Sequence, residues 1–112
     1  MVNEKEPLLG CELIRVSMEA FGLGFEFNDL LLEIGVAFMV RDSGVEFIFE
    51  PNSHVGNLAI LWNCIGSKVK FVEWNDSILI QLDNNVEFYI PPSQGNFRGT
   101  FSRLNSMAVE DF

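Results

Sequence analysis

The chain has 112 residues, of which 48% are hydrophobic and 21% are charged, a composition typical of one globular domain and not of a disordered segment. Sixteen Asp and Glu residues against seven Lys and Arg residues give a net charge of -9. Phosphate backbones attract basic proteins, so this charge argues against direct binding of nucleic acid.

The first half of the chain alternates between apolar and polar residues, which is the period of half-buried β-strands. Strands are predicted over residues 11–20, 21–27, 30–40 and 45–50. The third is longer than strands usually are, so we expect a bend or bulge near Gly35. The first strand is expected to bury the face that carries Ile14, Val16 and Met18.

The apolar period changes to three and four residues between Val55 and Ile65, which predicts one amphipathic helix. Asn52 or Ser53 is placed to cap its start, and Gly66 follows its end. Three further strands are predicted after the helix, and a following segment either adds an eighth, edge strand or remains irregular. These four segments are residues 68–74, 77–83, 86–90 and 96–104.

These elements predict an α+β fold that is mainly antiparallel β, with seven to eight strands in two meanders packed around one central amphipathic helix. Residues 1–112 are expected to form a single domain, with its core over about residues 8–104 and a loose or lightly docked tail over residues 105–112. Aromatic side chains at inward positions are interpreted as core and not as a stacking platform. They are Phe25, Phe27, Phe38, Phe47, Phe49 and Phe88.

No signal peptide is recognised at the N-terminus, and no apolar run approaches the roughly 20 residues that cross a bilayer. A cytoplasmic protein that does not contact membranes is therefore expected. Cys11 and Cys64 both lie among hydrophobic residues. A disulfide between them stays open as an alternative, but buried reduced thiols are the commoner case in the cytosol and are favoured.

The sequence contains no pattern typical of a catalytic, cofactor or metal site. His54 is the single histidine, and no ligand spacing surrounds it or the cysteines, so no metal is predicted. Gly22-Leu23-Gly24 lies within a strand pattern and indicates a close approach or a bend. Some of the sixteen carboxylates must lie close together, but a solvated acidic surface is preferred over a general acid–base pair. Neither enzymatic activity nor a cofactor is predicted.

The acidic residues of the first half share the outward register of the predicted strands. Arg41 is the one Lys or Arg between Ser17 and Ser67, so this half should carry a field of one sign. Solubility alone would also explain an acidic surface, but outward Leu31, Met39 and Ile48 among the carboxylates are typical of an interface with a charged rim. The predicted partner-binding residues are Glu19, Glu26, Glu33, Glu46, Ile48 and Glu50.

Strand patterns and turn positions over most of the chain carry a family resemblance. They lie in Gly10-Cys11-Glu12-Leu13-Ile14-Arg15-Val16, Phe21 to Ile34, Val69 to Trp74, Ser77 to Leu82 and Val86 to Pro91. In these segments the chain resembles a family of small bacterial domains of unknown function. Members of such families occur among the immunity proteins of contact-dependent and other polymorphic toxin systems. The resemblance implies no catalytic residue.

Small size, the charge of -9 and the resemblance together favour an immunity protein that binds and neutralises a cognate toxin domain. A basic nuclease domain is the expected partner, and the acidic surface is the expected contact. Two alternatives from other classes stay open. One is a structural or regulatory module that self-associates or binds a host protein through a sheet edge. The other is an enzyme acting on a small ligand, which would require a deep polar pocket with two close carboxylates.

Overall fold

Ten β-strands and one short helix are described in this computed structural model, which covers residues 8–19, 22–51, 57–104 and 109–112. The prediction of a mainly antiparallel β fold with one helix is confirmed, but the count of seven to eight strands is wrong. The elements in chain order are β1 (Leu13–Glu19), β2 (Gly22–Phe27), β3 (Leu30–Ile34), β4 (Phe38–Asp42), β5 (Val45–Phe49), α1 (Leu58–Trp62), β6 (Val69–Trp74), β7 (Ile78–Leu82), β8 (Val86–Ile90), β9 (Gly99–Arg103) and β10 (Val109–Asp111).

The strands form two five-stranded antiparallel sheets. The first sheet has the order β1-β2-β3-β9-β10, and the second has the order β5-β4-β8-β7-β6. Each sheet therefore joins strands from both halves of the chain, because β3 pairs with β9 and β4 pairs with β8. The two predicted meanders are present as β1-β2-β3 before the helix and β6-β7-β8 after it, but each sheet also takes strands from the other half of the chain.

The long third strand of the sequence prediction is divided between the two sheets. β3 ends at Ile34 and β4 begins at Phe38, and the chain passes from the first sheet to the second between them. The apolar residues on both sides of this passage are buried, including Leu32 and Val40. The irregularity predicted near Gly35 is confirmed, and it is a change of sheet.

The core lies between the inner faces of the two sheets. Phe25 of β2 contacts Phe38 of β4 and Phe88 of β8, with ring centroids 6.0 Å and 5.1 Å apart. All three rings are buried, as predicted from the alternation. Phe47 is the exception among the predicted core aromatics, because it is only partly buried at the edge strand β5.

The helix predicted over residues 55–65 spans only Leu58–Trp62. Asn57 caps its start, since the side-chain oxygen of Asn57 accepts a hydrogen bond from the backbone N–H of Ala59 at 3.2 Å. Gly66, with a φ of +97°, follows its end as predicted. A glycine suits this position because left-handed backbone strains other residues.

Helix α1 flanks the sheets and contributes Ile60 and Leu61 to the core. The prediction of a central helix is therefore wrong, because the apolar faces of the sheets are covered by each other. The caps predicted at Asn52 and Ser53 lie outside the described residues, and so does His54.

Strand β1 is less buried than its alternation predicts. Ile14 is 46% exposed and Met18 is 54% exposed, although the sequence assigned both to the buried face. The register of β1 against β2 shifts between Leu13 and Arg15, and β1 lies at the edge of its sheet. The shift takes Ile14 out of the alternation, whereas Met18, opposite the buried Leu23, keeps the inward side and is exposed because β1 is an edge strand.

The last residues of the chain dock on the first sheet. Val109–Asp111 pairs with β9, and the ring of Phe112 lies 5.4 Å from that of Trp74. Of the two alternatives predicted for the tail, loose or lightly docked, residues 109–112 are docked, and residues 105–108 lie outside the described part of the chain.

Arg98 joins this terminal segment to the second sheet. Its side chain is buried, and its Nη1 donates hydrogen bonds to the carbonyl oxygens of Asp76 at 2.5 Å and Pro91 at 2.8 Å. The guanidinium also lies 5.4 Å from the ring centre of Phe112. Burial lowers the pKa of this guanidinium from its ordinary value, because removal from water disfavours the charged form.

Candidate functional site

The six residues predicted to bind a partner are divided between the two sheets. Glu19, Glu26 and Glu33 lie on β1, β2 and β3, whereas Glu46 and Ile48 lie on β5 and Glu50 directly follows it. Because the sheets pack through their inner faces, their outer faces point in opposite directions. The prediction that these residues form one acidic face is therefore wrong, and the structure offers two separate candidate surfaces.

The first surface is the outer side of the first sheet, which we call the acidic face. Residues directly opposite each other on neighbouring strands share one side of a sheet. The strand register therefore brings four carboxylates and one guanidinium to this side, a formal charge of -3. The acidic face is defined by Arg15, Ser17, Glu19, Glu26, Glu33, Thr100 and Asp111.

Hydroxyl groups orient two of these carboxylates. Ser17 Oγ donates a hydrogen bond to Glu19 Oε2 at 2.6 Å, and Thr100 Oγ1 donates one to Glu33 Oε1 at 3.1 Å. An ionised carboxylate has about four acceptor positions, so one hydrogen bond from Thr100 leaves the Glu33 carboxylate with acceptor capacity for a partner. No local pattern marks Thr100 as a site residue, because its position opposite Glu33 depends on the pairing of β3 with β9.

The third carboxylate of the face is paired within the chain. Glu26 Oε1 lies 2.9 Å from Arg15 Nη2, and the Glu26 side chain is only 18% exposed. An exposed guanidinium can leave such a pair at little cost, because surface ion pairs contribute about 0–1 kcal/mol. Glu26 can therefore also meet a partner's charge once Arg15 moves away.

A hollow of about 240 Å³ opens on the acidic face between Glu19 and Glu33. Gly22 forms part of its lining, and Phe97, 58% exposed, lies at its edge. A Cβ atom at Gly22 would lie only 2.3 Å from the carbonyl oxygen of Ile34. The close approach predicted from the glycine pattern of β2 is confirmed here, and the missing side chain leaves the space open.

The second surface is the outer side of the second sheet, which we call the apolar face. Its centre is a row of Ile48, Met39, Tyr89 and Leu79 that runs across β5, β4, β8 and β7. Ile48 is 58% exposed, and the other three are partly buried. Tyr89 and Leu79 were not predicted as site residues, because only the pairing of β4 with β8 and of β8 with β7 aligns them with Met39.

A polar row runs beside the apolar one. Arg41 Nη2 lies 2.7 Å from Glu46 Oε2, and Arg41 Nη1 lies 3.5 Å from Glu87 Oε1. Glu87 also accepts a hydrogen bond from the side-chain amide of Gln81. The hydrogen bond to Glu46 raises the pKa of Arg41, with its charge interactions as the next cause. One cation thus faces two carboxylates in this row, and Glu73, opposite Leu79, adds a further carboxylate to the same side of the sheet.

Comparison with protein-family models, curated proteins and solved structures finds no match for this chain. Within the described residues, no group of three or more His, Cys, Asp or Glu side chains is arranged to hold a metal ion. In the same residues, no helix has the length and apolarity needed to span a membrane.

Proposed function

We propose that this chain is a cytoplasmic immunity protein of a bacterial toxin system, and that it neutralises a basic toxin domain by binding it through the acidic face. The observation that carries the proposal is the formal charge of -3 on that face, from four carboxylates and one guanidinium. Complementary charge increases the association rate of two proteins and disfavours partners of the wrong sign.

The hollow gives the acidic face a place into which a side chain of the partner could insert. Its lining includes Glu19 and Glu33, whose charge would attract the cationic side chain of a partner arginine or lysine. Arginine is favoured, because its planar guanidinium can donate hydrogen bonds to carboxylates on two sides and can stack on an aromatic ring such as that of Phe97. One inserted arginine would fix the orientation of the partner on the face.

Binding of this kind would inhibit a nuclease without any catalytic residue in the inhibitor. A nuclease holds its substrate through basic side chains that neutralise phosphates. Carboxylates that occupy those side chains compete with the nucleic acid directly. The proposal therefore agrees with the prediction that this chain is not an enzyme.

The test is coexpression with the protein encoded beside this gene, followed by kinetic measurement of the complex. The double variant Glu19→Lys, Glu33→Lys should lower the association rate constant about 10- to 100-fold at low salt and reduce its salt dependence. Matched controls are Glu46→Lys and Glu50→Lys together, because they make the same change of charge on the second sheet. Their rate constant should stay within about threefold of wild type.

An equal loss in both double variants would show that total charge, and not the acidic face, governs binding. A neighbouring gene product that is not basic, or that does not copurify with this chain, would contradict the function itself.

A further inference from the structure

We propose that β10 and Phe112 form a latch that opens from β9 as a unit and closes again while the rest of the fold stays intact. The latch is defined by residues 109–112. This inference does not depend on the proposed function, because it concerns the chain without a partner. It rests on the contacts that hold these residues and on the groups that they cover.

Strand β10 is held weakly along its length. It has three residues and lies at the edge of the first sheet, where it pairs with β9. Val109 is 59% exposed and Asp111 is also exposed, so their side chains bury little surface. Ordering such a segment costs backbone entropy, which its few hydrogen bonds offset only in part. Segments of this kind open at a lower free energy than the whole fold.

Phe112 is the anchor of the latch. Its ring lies 5.4 Å from that of Trp74 on β6, so it connects the first sheet to the second. Its backbone N–H donates a hydrogen bond to the carbonyl oxygen of Gly99 at 3.1 Å, and its carbonyl oxygen accepts one from the N–H of Arg98 at 2.8 Å. A Cβ atom at Gly99 would lie 2.9 Å from Cζ of Phe112, so the missing side chain makes room for the ring.

Closure of the latch is unfavourable for the group beneath it. The Phe112 ring lies over the guanidinium of Arg98, with 5.4 Å between Cζ and the ring centre. The Arg98 Nε is buried and has no hydrogen-bond partner among the described residues. A buried donor without a partner costs free energy, and the cost is larger for a charged group. Departure of the ring lets water reach this Nε, which lowers the free energy of opening.

Opening of the latch changes the acidic face. Asp111 lies opposite Thr100 and supplies one of the four carboxylates of that face. With the latch released, three carboxylates and Arg15 remain, so the formal charge changes from -3 to -2. Release also uncovers the edge of β9, with backbone groups available to another strand. The latch therefore gives this surface two forms that differ in charge.

The test is native-state hydrogen exchange of the purified chain, followed by NMR. The Arg98 N–H is bonded to Phe112, so it loses its protection when the latch opens. The amides of the inner strand β2 lose theirs when the whole fold opens. The Arg98 amide should therefore be protected at least about tenfold less than the slowest amides of β2. Dilute urea should also accelerate it less, because opening of the latch exposes little surface.

Two variants separate the latch from the rest of the fold. Phe112→Ala should speed exchange of the Arg98 amide about 10- to 100-fold, the factor that follows from the loss of a partly buried aromatic ring. Phe25→Leu, in the core between the sheets, weakens the open and the closed form alike. It should speed exchange in β2 about five- to tenfold and leave the Arg98 amide within about threefold of wild type.

Val109→Ala is the matched control for Phe112→Ala, because it shortens an exposed side chain of the same latch. The Arg98 amide should stay within about threefold of wild type in this variant. An equal effect of Val109→Ala and Phe112→Ala would contradict the role of Phe112 as the anchor.

An Arg98 amide that matches the β2 amides in protection and in urea dependence would overturn the proposal. The same conclusion would follow if Phe25→Leu accelerated the Arg98 amide as much as the β2 amides, because residues 109–112 would then open only with the whole fold.

Discussion

The contact between the two sheets can be tested at Phe25. This ring is fully buried on β2, and its nearest aromatic neighbours, Phe38 and Phe88, belong to the other sheet. Truncation of a buried Phe to Ala costs about 3–5 kcal/mol, because it removes apolar burial and leaves a cavity. At roughly 4 °C per kcal/mol for a chain of this length, Phe25→Ala should lower the melting temperature by about 12–20 °C.

Urea unfolding followed by circular dichroism gives the free energy, and Phe97→Ala is the control because Phe97 is 58% exposed. The control should lose less than about 1 kcal/mol. A double-mutant cycle of Phe25→Leu and Phe88→Leu should give a coupling energy of about 0.5–1.5 kcal/mol. If Phe25→Ala lowers the free energy of unfolding no more than Phe97→Ala does, and if the cycle with Phe88 shows no coupling energy, the packing of the two sheets through this ring is refuted.

Three further predictions concern single positions. Gly22→Ala should lower the free energy of unfolding in urea by about 1–3 kcal/mol, because its Cβ would lie 2.3 Å from the carbonyl oxygen of Ile34. An unchanged free energy would contradict this close approach. Arg98→Ala should cost about 2–4 kcal/mol, because it leaves two carbonyl groups without their donor, whereas Arg15→Ala should cost less than about 1 kcal/mol. Burial raises the pKa of the Cys64 thiol in the folded protein. The contribution of this thiol to the stability of the fold is therefore fully present below the unfolded thiol's pKa of about 8.5. It declines as the pH rises further, because the unfolded chain then loses the proton more readily than the folded chain does. The stability of wild type relative to Cys64→Ala should therefore fall between pH 8 and 10, and a constant difference would be contrary to this account.

The inward register of the strands could be predicted because it is a local property. Phe25 and Phe88 alternate with polar neighbours, and this period alone assigns them to the core. The assignment of strands to sheets could not be predicted in this way. It depends on the passage between sheets at Gly35 and on pairs distant in sequence, such as Glu33 and Thr100, for which no local signal exists.

The same limit applies to the candidate site. Glu33 and Glu46 were both correctly placed on outward positions, but the outward sides of two packed sheets point in opposite directions. The apolar row was found only in part, through Met39 and Ile48, since Tyr89 joins it by a pairing that spans half the chain. The burial of Arg98 had no sequence signal, because charged residues are mostly exposed and its two carbonyl partners lie in separate loops.

The interleaving of the two sheets also determines when the chain can fold during its synthesis. Glu33 on β3 and Thr100 on β9, whose side chains meet, are 67 residues apart in the chain. Strand β4 likewise cannot pair with β8 before β8 has been synthesised. A nascent chain that still lacks residues 99–103 leaves the inner edge of β3 open, with backbone groups available to other strands. Such non-local pairing makes folding slow, on a scale of about milliseconds to seconds. The interval before β9 arrives is therefore when this chain is most exposed to aggregation.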